Sequence, residues 1–295
     1  MFDFSRIKSP VVLAGDEKTA YRDPAAFYEN GMFYLFCTKV DCCGGGPYMT
    51  TVETVSEDLV HWSEPREITP RDRSKNFSSP GNVIRTADGA YLLCLQTYCR
   101  ENGEKYGNER SRLWTMRSEN LADWEEPVLL RVKGDVPEEE MGRMIDPYLV
   151  EDVSEKGKWW CLYKQRGMSL SYSYDLKNWI YHGRVDCGEN VCAIREGEGL
   201  RIYHSPQNGI GMLRTKDMVH FEPCGELITL GQDRWPWAQG RITAGFVLDL
   251  TMNAEFGKYL MFFHGSGPED EETMFDHHAS IGLAWSDEIG FDAWK

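Results

Sequence analysis

The sequence predicts an all-β chain folded as one five-bladed β-propeller over residues 1–295, with about four antiparallel strands per blade. Three observations carry this expectation. A turn signature recurs five times, an aromatic-rich strand recurs midway through each repeat, and helical patterning is nearly absent.

The signature reads SEDLVHW (Ser56 to Trp62), SENLADW (Ser118 to Trp124), SYDLKNW (Ser173 to Trp179), TKDMVHF (Thr215 to Phe221) and SDEIGFDAW (Ser286 to Trp294). Each opens on a hydroxyl residue and an acidic or amide turn residue, whose side chains bond nearby backbone groups. Each then reaches an aliphatic and closes on an aromatic, which places the blade ends near residues 62, 124, 179, 221 and 294. The mid-repeat strands are GMFYLFCT (31–38), GAYLLCLQ (89–96), GKWWCLYK (157–164), GLRIYHS (199–205) and GKYLMFFHGS (257–266). Their β-branched and aromatic content, bounded by Gly, reads as buried strand. Phe33, Trp159 and Trp160 are expected in blade cores. The best helical window, PEEEMGRM from Pro137, is long enough for one turn with Pro at its start. A two-sheet sandwich is the competing architecture, and it gives no reason for fivefold recurrence.

Composition narrows the function classes. The chain carries 32 Lys and Arg against 47 Asp and Glu, a formal charge of −15. That balance disfavours nucleic acid, whose phosphates need cationic side chains to replace counterions. With 41% hydrophobic and 13% aromatic residues the chain is too apolar for disorder, and no run is long enough for a membrane span. The N-terminus lacks a basic region followed by an apolar core, so no secretion signal is expected. Nine scattered cysteines suit a reducing compartment better than a disulfide framework, and the expected location is the cytoplasm.

The inner strand of a propeller blade borders the axial channel, so chemistry is expected where each repeat begins. Those stretches are YRDPAAFYENG (21–31), SSPGNVIRTADG (78–89), RMIDPYLVEDV (143–153), CGENVCAIREG (187–197) and GRITAGFVLDL (240–250). Three of them are expected to place a carboxylate at the corresponding spot: Asp23, Asp146 and Glu189. Clustered carboxylates repel, so at least one is expected to keep its proton to higher pH. Glycoside cleavage needs such a set, a protonated acid for the leaving oxygen and an ionised carboxylate for water or the anomeric carbon.

On RDPAAFYENGMFYLF, SEDLVHW, MIDPYLVED and GENVCAIREGEGLRIYHS the whole chain resembles the five-bladed propeller glycoside hydrolases of families 43, 32, 68 and 117, family 43 most of all. The resemblance implies that Asp23 is the general base, that Asp146 orients the sugar and tunes the acid, and that Glu189 is the general acid. It also implies inversion, with roughly 6.5–9.5 Å between acid and base. Blade one lacks the Asn-Asp-Pro-Asn pattern of the β-fructosidases. Ser79-Pro80-Gly81-Asn82 stands where family 43 often has Ala-Pro-Asp, and Asn190 follows Glu189 in place of the usual Gly-Pro or Cys-Pro. Glu196 and Glu198 are nearby alternatives for the acid, but they flank a Gly turn and are expected in solvent.

Further candidates surround these. Arg241 is expected to begin blade five at the place where the others start with their carboxylates; a guanidinium there can hold a carboxylate or bind sugar hydroxyls, or simply form a surface ion pair. By the resemblance, His264 sits beneath the site, where a structural calcium or sodium ion in the axial channel has room; no cofactor is required. Trp235 and Trp237 offer either a flat face for a sugar ring or a loop folded over its own blade. Arg22 and Arg143 can neutralise the carboxylates. Asp276, His277 and His278 suggest metal only superficially, because neighbouring strand residues point to opposite faces. The expected substrate is a small oligosaccharide or glycoside, an α-L-arabinofuranoside or β-D-xyloside. A retaining β-fructosidase-like enzyme and a sugar-binding propeller without catalysis are the alternatives.

Overall fold

A computed structural model of the chain describes residues 1–44 and 46–291; Trp294, expected to close the fifth signature, lies outside the described residues. Five four-stranded antiparallel sheets form the blades of the propeller. Blade 1 comprises Thr19–Glu29, Met32–Asp41, Tyr48–Ser56 and Arg66–Glu67. Blade 2 comprises Phe77–Arg85, Tyr91–Thr97, Leu113–Ser118 and Val128–Leu129. Blade 3 comprises Ile145–Glu151, Trp159–Lys164, Met168–Ser173 and Ile180–Val185. Blade 4 comprises Glu189–Glu196, Gly199–Ser205, Gly211–Thr215 and Glu222–Pro223.

Blade 5 closes the ring with strands from both ends of the chain. Its inner strands are Arg241–Leu250, Lys258–Ser266 and Ser280–Ser286, and its outermost is Val11–Leu13 from the N-terminus. Pairing strands from the two ends of the chain in one sheet ties the ring of blades shut. Among the described residues the only helical turns are short 3-10 segments, and none is long and apolar enough to cross a membrane. The Pro137 window forms one of them, Glu138–Glu140, with Pro137 at its N-cap.

In the first four blades the recurrent signature is a turn between the third and fourth strands, so Trp62, Trp124, Trp179 and Phe221 precede the outer strands rather than ending the blades. Its chemistry repeats. The side-chain oxygens of Asp58, Asn120, Asp175 and Asp217 each accept from the backbone N–H groups two and three residues on. The aliphatic that follows, Leu59, Leu121, Leu176 or Met218, takes a left-handed φ near 60°. A side chain rarely adopts that backbone unless its burial offsets the strain, and Leu59, Leu121 and Met218 are buried.

Large aromatics fill the blades and the spaces between them. Phe33, Phe36, Trp160, Tyr163, Tyr203, Phe262 and Phe263 are all buried. Trp159 is only half-buried, against the expectation of a core position. Asn82 stitches blade 2 to blade 3: its side chain donates to Leu149 O and accepts from Leu149 N, each at 2.8 Å, like a missing strand neighbour. Gly81 beside it lies so close to the Pro147 carbonyl that a Cβ would collide with it. The Pro-Gly-Asn sequence of blade 2 therefore serves packing between blades. All nine cysteines are free thiols.

Candidate active site

Each inner strand slips register once, at an equivalent place: between Arg22 and Ala25, Ser78 and Asn82, Ile145 and Tyr148, Glu189 and Cys192, and Thr243 and Phe246. At each slip one residue has a positive φ: Asp23 at 51°, Ser79 at 40°, Asp146 at 52°, Asn190 at 50° and Ala244 at 51°. A bulge re-aims a side chain that regular pleating would send elsewhere. Five left-handed non-glycine residues in a ring mark one end of the propeller as the candidate site.

This register corrects two sequence expectations. Only Asp23 and Asp146 occupy the equivalent position; in blade 4 it belongs to Asn190, and Glu189 shares the preceding position with Arg22, Ser78, Ile145 and Thr243. In blade 5 it belongs to Ala244, three residues beyond Arg241. The three carboxylates nonetheless line one cavity of about 560 Å³, together with Arg22, Arg241 and His264. Glu196 pairs with Arg201 and Glu198 with Lys216, at the hairpin away from this cavity.

A second ring comes from the ends of the neighbouring strands. Thr38, Gln96, Lys164, Ser205 and His264 pair with Arg22, Ser78, Ile145, Glu189 and Thr243. Three of them accept the backbone N–H of the next blade's bulge residue: Thr38 from Ser79 at 2.7 Å, Gln96 from Asp146 at 2.6 Å and Ser205 from Ala244 at 2.8 Å. Thr38, Ser79, Gln96 and Lys164 were missed by the sequence reading. The quoted mid-repeat strands end on Thr38, Gln96, Lys164 and Ser205, so alternation extended to those ends would have found most of the ring.

The carboxylates differ in environment. Asp23 Oδ2 accepts from Ser79 Oγ at 2.9 Å and Thr38 Oγ1 at 3.2 Å, with Arg22 Nε 4.0 Å away. Glu189 makes ion pairs with Lys164 and with Arg241, the latter at 3.4 Å. Asp146 is buried, and its pKa is pushed up to about 8, first by lost solvation and then by the charges of Glu189 and Asp23; Lys164 and Arg143 oppose the rise. Asp146 is therefore the carboxyl that holds a proton at neutral pH. Glu189 keeps 26% of its side chain exposed and Asp23 16%. Asp146 lies deepest and also borders the constriction beneath.

Arg22 is fixed by Met274 O at 2.6 Å and by Asp276 at 3.6 Å, while Arg100 grips both oxygens of Asp276. Asp276 thus ties the blade 5 loop to the site wall, and His278 bonds Asp270. His264 is buried with both ring nitrogens lacking a hydrogen-bond partner, and burial, then Arg22 and Arg241, hold it neutral. Below the bulges the axial channel narrows to about 20 Å³, room for roughly one water. Among the described residues Asp23 and Asp146 are its only acidic lining groups, and no three His, Cys, Asp or Glu gather as metal ligands. The residues present do not fit a dedicated calcium site.

Trp235 and Trp237 do not line the cavity. They stack on each other at 5.7 Å and on Phe263 at 6.3 and 5.8 Å, a loop folded over its own blade.

This architecture belongs to a populated class of solved structures. A glycosyl hydrolase from Bacteroides ovatus is 14% identical, with TM-score 0.69, covering 99% of this chain and 95% of that one. An exo-1,5-α-L-arabinanase from a bovine ruminal metagenomic library is 16% identical, with TM-score 0.64, covering 95% and 98%. A structure from family 130, whose mannoside phosphorylases include hydrolases that target β-1,2-mannosidic linkages in Candida mannan, is 14% identical, with TM-score 0.67, covering 97% and 93%. At these identities the likeness establishes the five-bladed fold that the chain shares with glycoside hydrolases. No protein-family profile and no curated protein sequence matches the chain significantly.

Proposed function

We propose that the protein is an inverting glycoside hydrolase acting on small oligosaccharides or glycosides, with α-L-arabinofuranosides or β-D-xylosides as its substrate class. The observation that carries this reading is the unequal carboxylate set: one cavity holds Asp146 with its proton retained near pH 7, and Asp23 bonded only as an acceptor on Oδ2. A carboxyl that keeps its proton, set in one cavity with two other carboxyl groups, supplies the acid–base chemistry that glycoside cleavage requires. A cavity of about 560 Å³ closed below by the narrow channel suits a short sugar better than a long polymer threading through. The arabinanase among the fold neighbours supports a furanoside.

In this mechanism Asp23 takes the proton of the attacking water. Glu189, the most accessible of the three, gives a proton to the leaving oxygen, and Asp146 is the buried store from which Glu189 is loaded once substrate displaces its Lys164 partner. Water attack and leaving-group departure on opposite faces invert the anomeric carbon. The test is a leaving-group series. Glu189→Gln should lose roughly 10²–10⁴-fold on glycosides with poor leaving groups and far less on activated aryl glycosides. Equal loss on both would remove Glu189 from the acid role.

A further inference from the structure

Four cations line the cavity, and three have carboxylate partners. Arg22 has Asp276 and Asp23, while Lys164 and Arg241 share Glu189. Arg143 has none among the described residues. Its side chain is nevertheless held in place: Nε donates to Gly107 O at 2.7 Å, and the guanidinium lies 5.7 Å from the Tyr98 ring centroid. Its backbone is clamped too, its N–H donating to Glu109 at 3.0 Å and its carbonyl accepting from Gln165 at 3.1 Å. Among the described residues neither Nη group has a protein acceptor, and Arg143 lines the cavity three residues before Asp146. A guanidinium fixed through Nε, with its terminal fork free, presents two parallel donors to a planar acceptor.

We propose that Arg143 recognises a carboxylate on the substrate, so that the pentoside cleaved in this cavity is one joined to a uronic acid beside the bond that is cut. This deepens the glycosidase reading and rests on it for the cleavage step, though binding can be read without turnover. A neutral sugar would leave the Arg143 fork to water, whereas a uronate would complete the pairing that the other three cations already have. Tyr98 and Tyr106, which line the same wall with Gly107, offer faces for the attached ring.

The test is calorimetric titration of the wild-type protein with matched pairs that it cannot cleave: galacturonate against galactose and L-arabinose, and glucuronate against glucose and xylose. One acid should bind about 10- to 100-fold more tightly than its neutral partners, as a charge-assisted bidentate contact requires. Arg143→Gln should bring the pair to parity. Arg143→Lys, which keeps the charge but loses the fork, should retain part of the preference. Equal binding of acid and neutral sugars, no acid bound at millimolar concentration, or a preference surviving Arg143→Gln would overturn the proposal. Failure to hydrolyse any glycoside would count against the enzymatic reading and leave this readout intact.

Discussion

Replacing Asp146 by Asn should make the protein more stable as pH rises, relative to wild type, while damaging activity. The buried carboxyl takes its proton at about 8, against an ordinary 3.8. Between those values the folded state binds a proton that the unfolded chain has released, so unfolding releases it. Stability conferred by this group is complete below the unfolded value and is lost as pH rises through the window. The loss runs at about 1.4 kcal/mol per pH unit, or on the order of 4 kcal/mol between pH 5 and pH 8. Asn cannot titrate, so the variant lacks this slope, and the global charge of the chain contributes to both proteins alike. Urea unfolding of both proteins at successive pH values gives the difference directly. A constant offset from the amide, in either direction, leaves the slope untouched. Parallel stability profiles would refute the claim that Asp146 holds its proton.

The same proton should appear in the kinetics. Activity is expected to fall as pH rises through about 8, where Asp146 loses its proton; a kcat/KM profile flat well beyond that pH would exclude Asp146 as the proton store. Trp237→Ala should cost roughly 1–3 kcal/mol of stability through its lost stacking on Phe263, with little change in KM. A large rise in KM with unchanged stability would return Trp237 to the sugar site.

Much of the architecture was legible because propeller blades are local units. Each strand of a blade pairs with its sequence neighbour, so turn chemistry and alternation repeat in order along the chain. The exception is ring closure, where Val11–Leu13 pairs with Ser280–Ser286 across nearly the whole sequence, and no local pattern announces that partnership. In the site, Asp23 and Asp146 were readable because Pro follows each and fixes the chain after the bulge. Glu189 was read into the same ring, but its place one residue earlier depends on register, which two-residue periodicity alone does not reveal. Thr38 and Lys164 act through a neighbouring blade or strand, and their roles emerge only once the five sheets are arranged. Trp235 and Trp237 show the converse: an aromatic loop looks the same in sequence whether it faces a ligand or its own blade.

The central claim, that these converging carboxylates cleave glycosides, is tested most directly with an aryl glycoside panel. It should span α-L-arabinofuranoside, β-D-xyloside, β-D-galactofuranoside, β-D-fructofuranoside and the matching uronides, assayed with wild type and with folded Asp23→Asn. The account predicts hydrolysis of at least one member by wild type and near-complete loss in the variant, because no leaving group rescues a missing base. Hydrolysis that survives Asp23→Asn, or none by the wild type on any member, would contradict it.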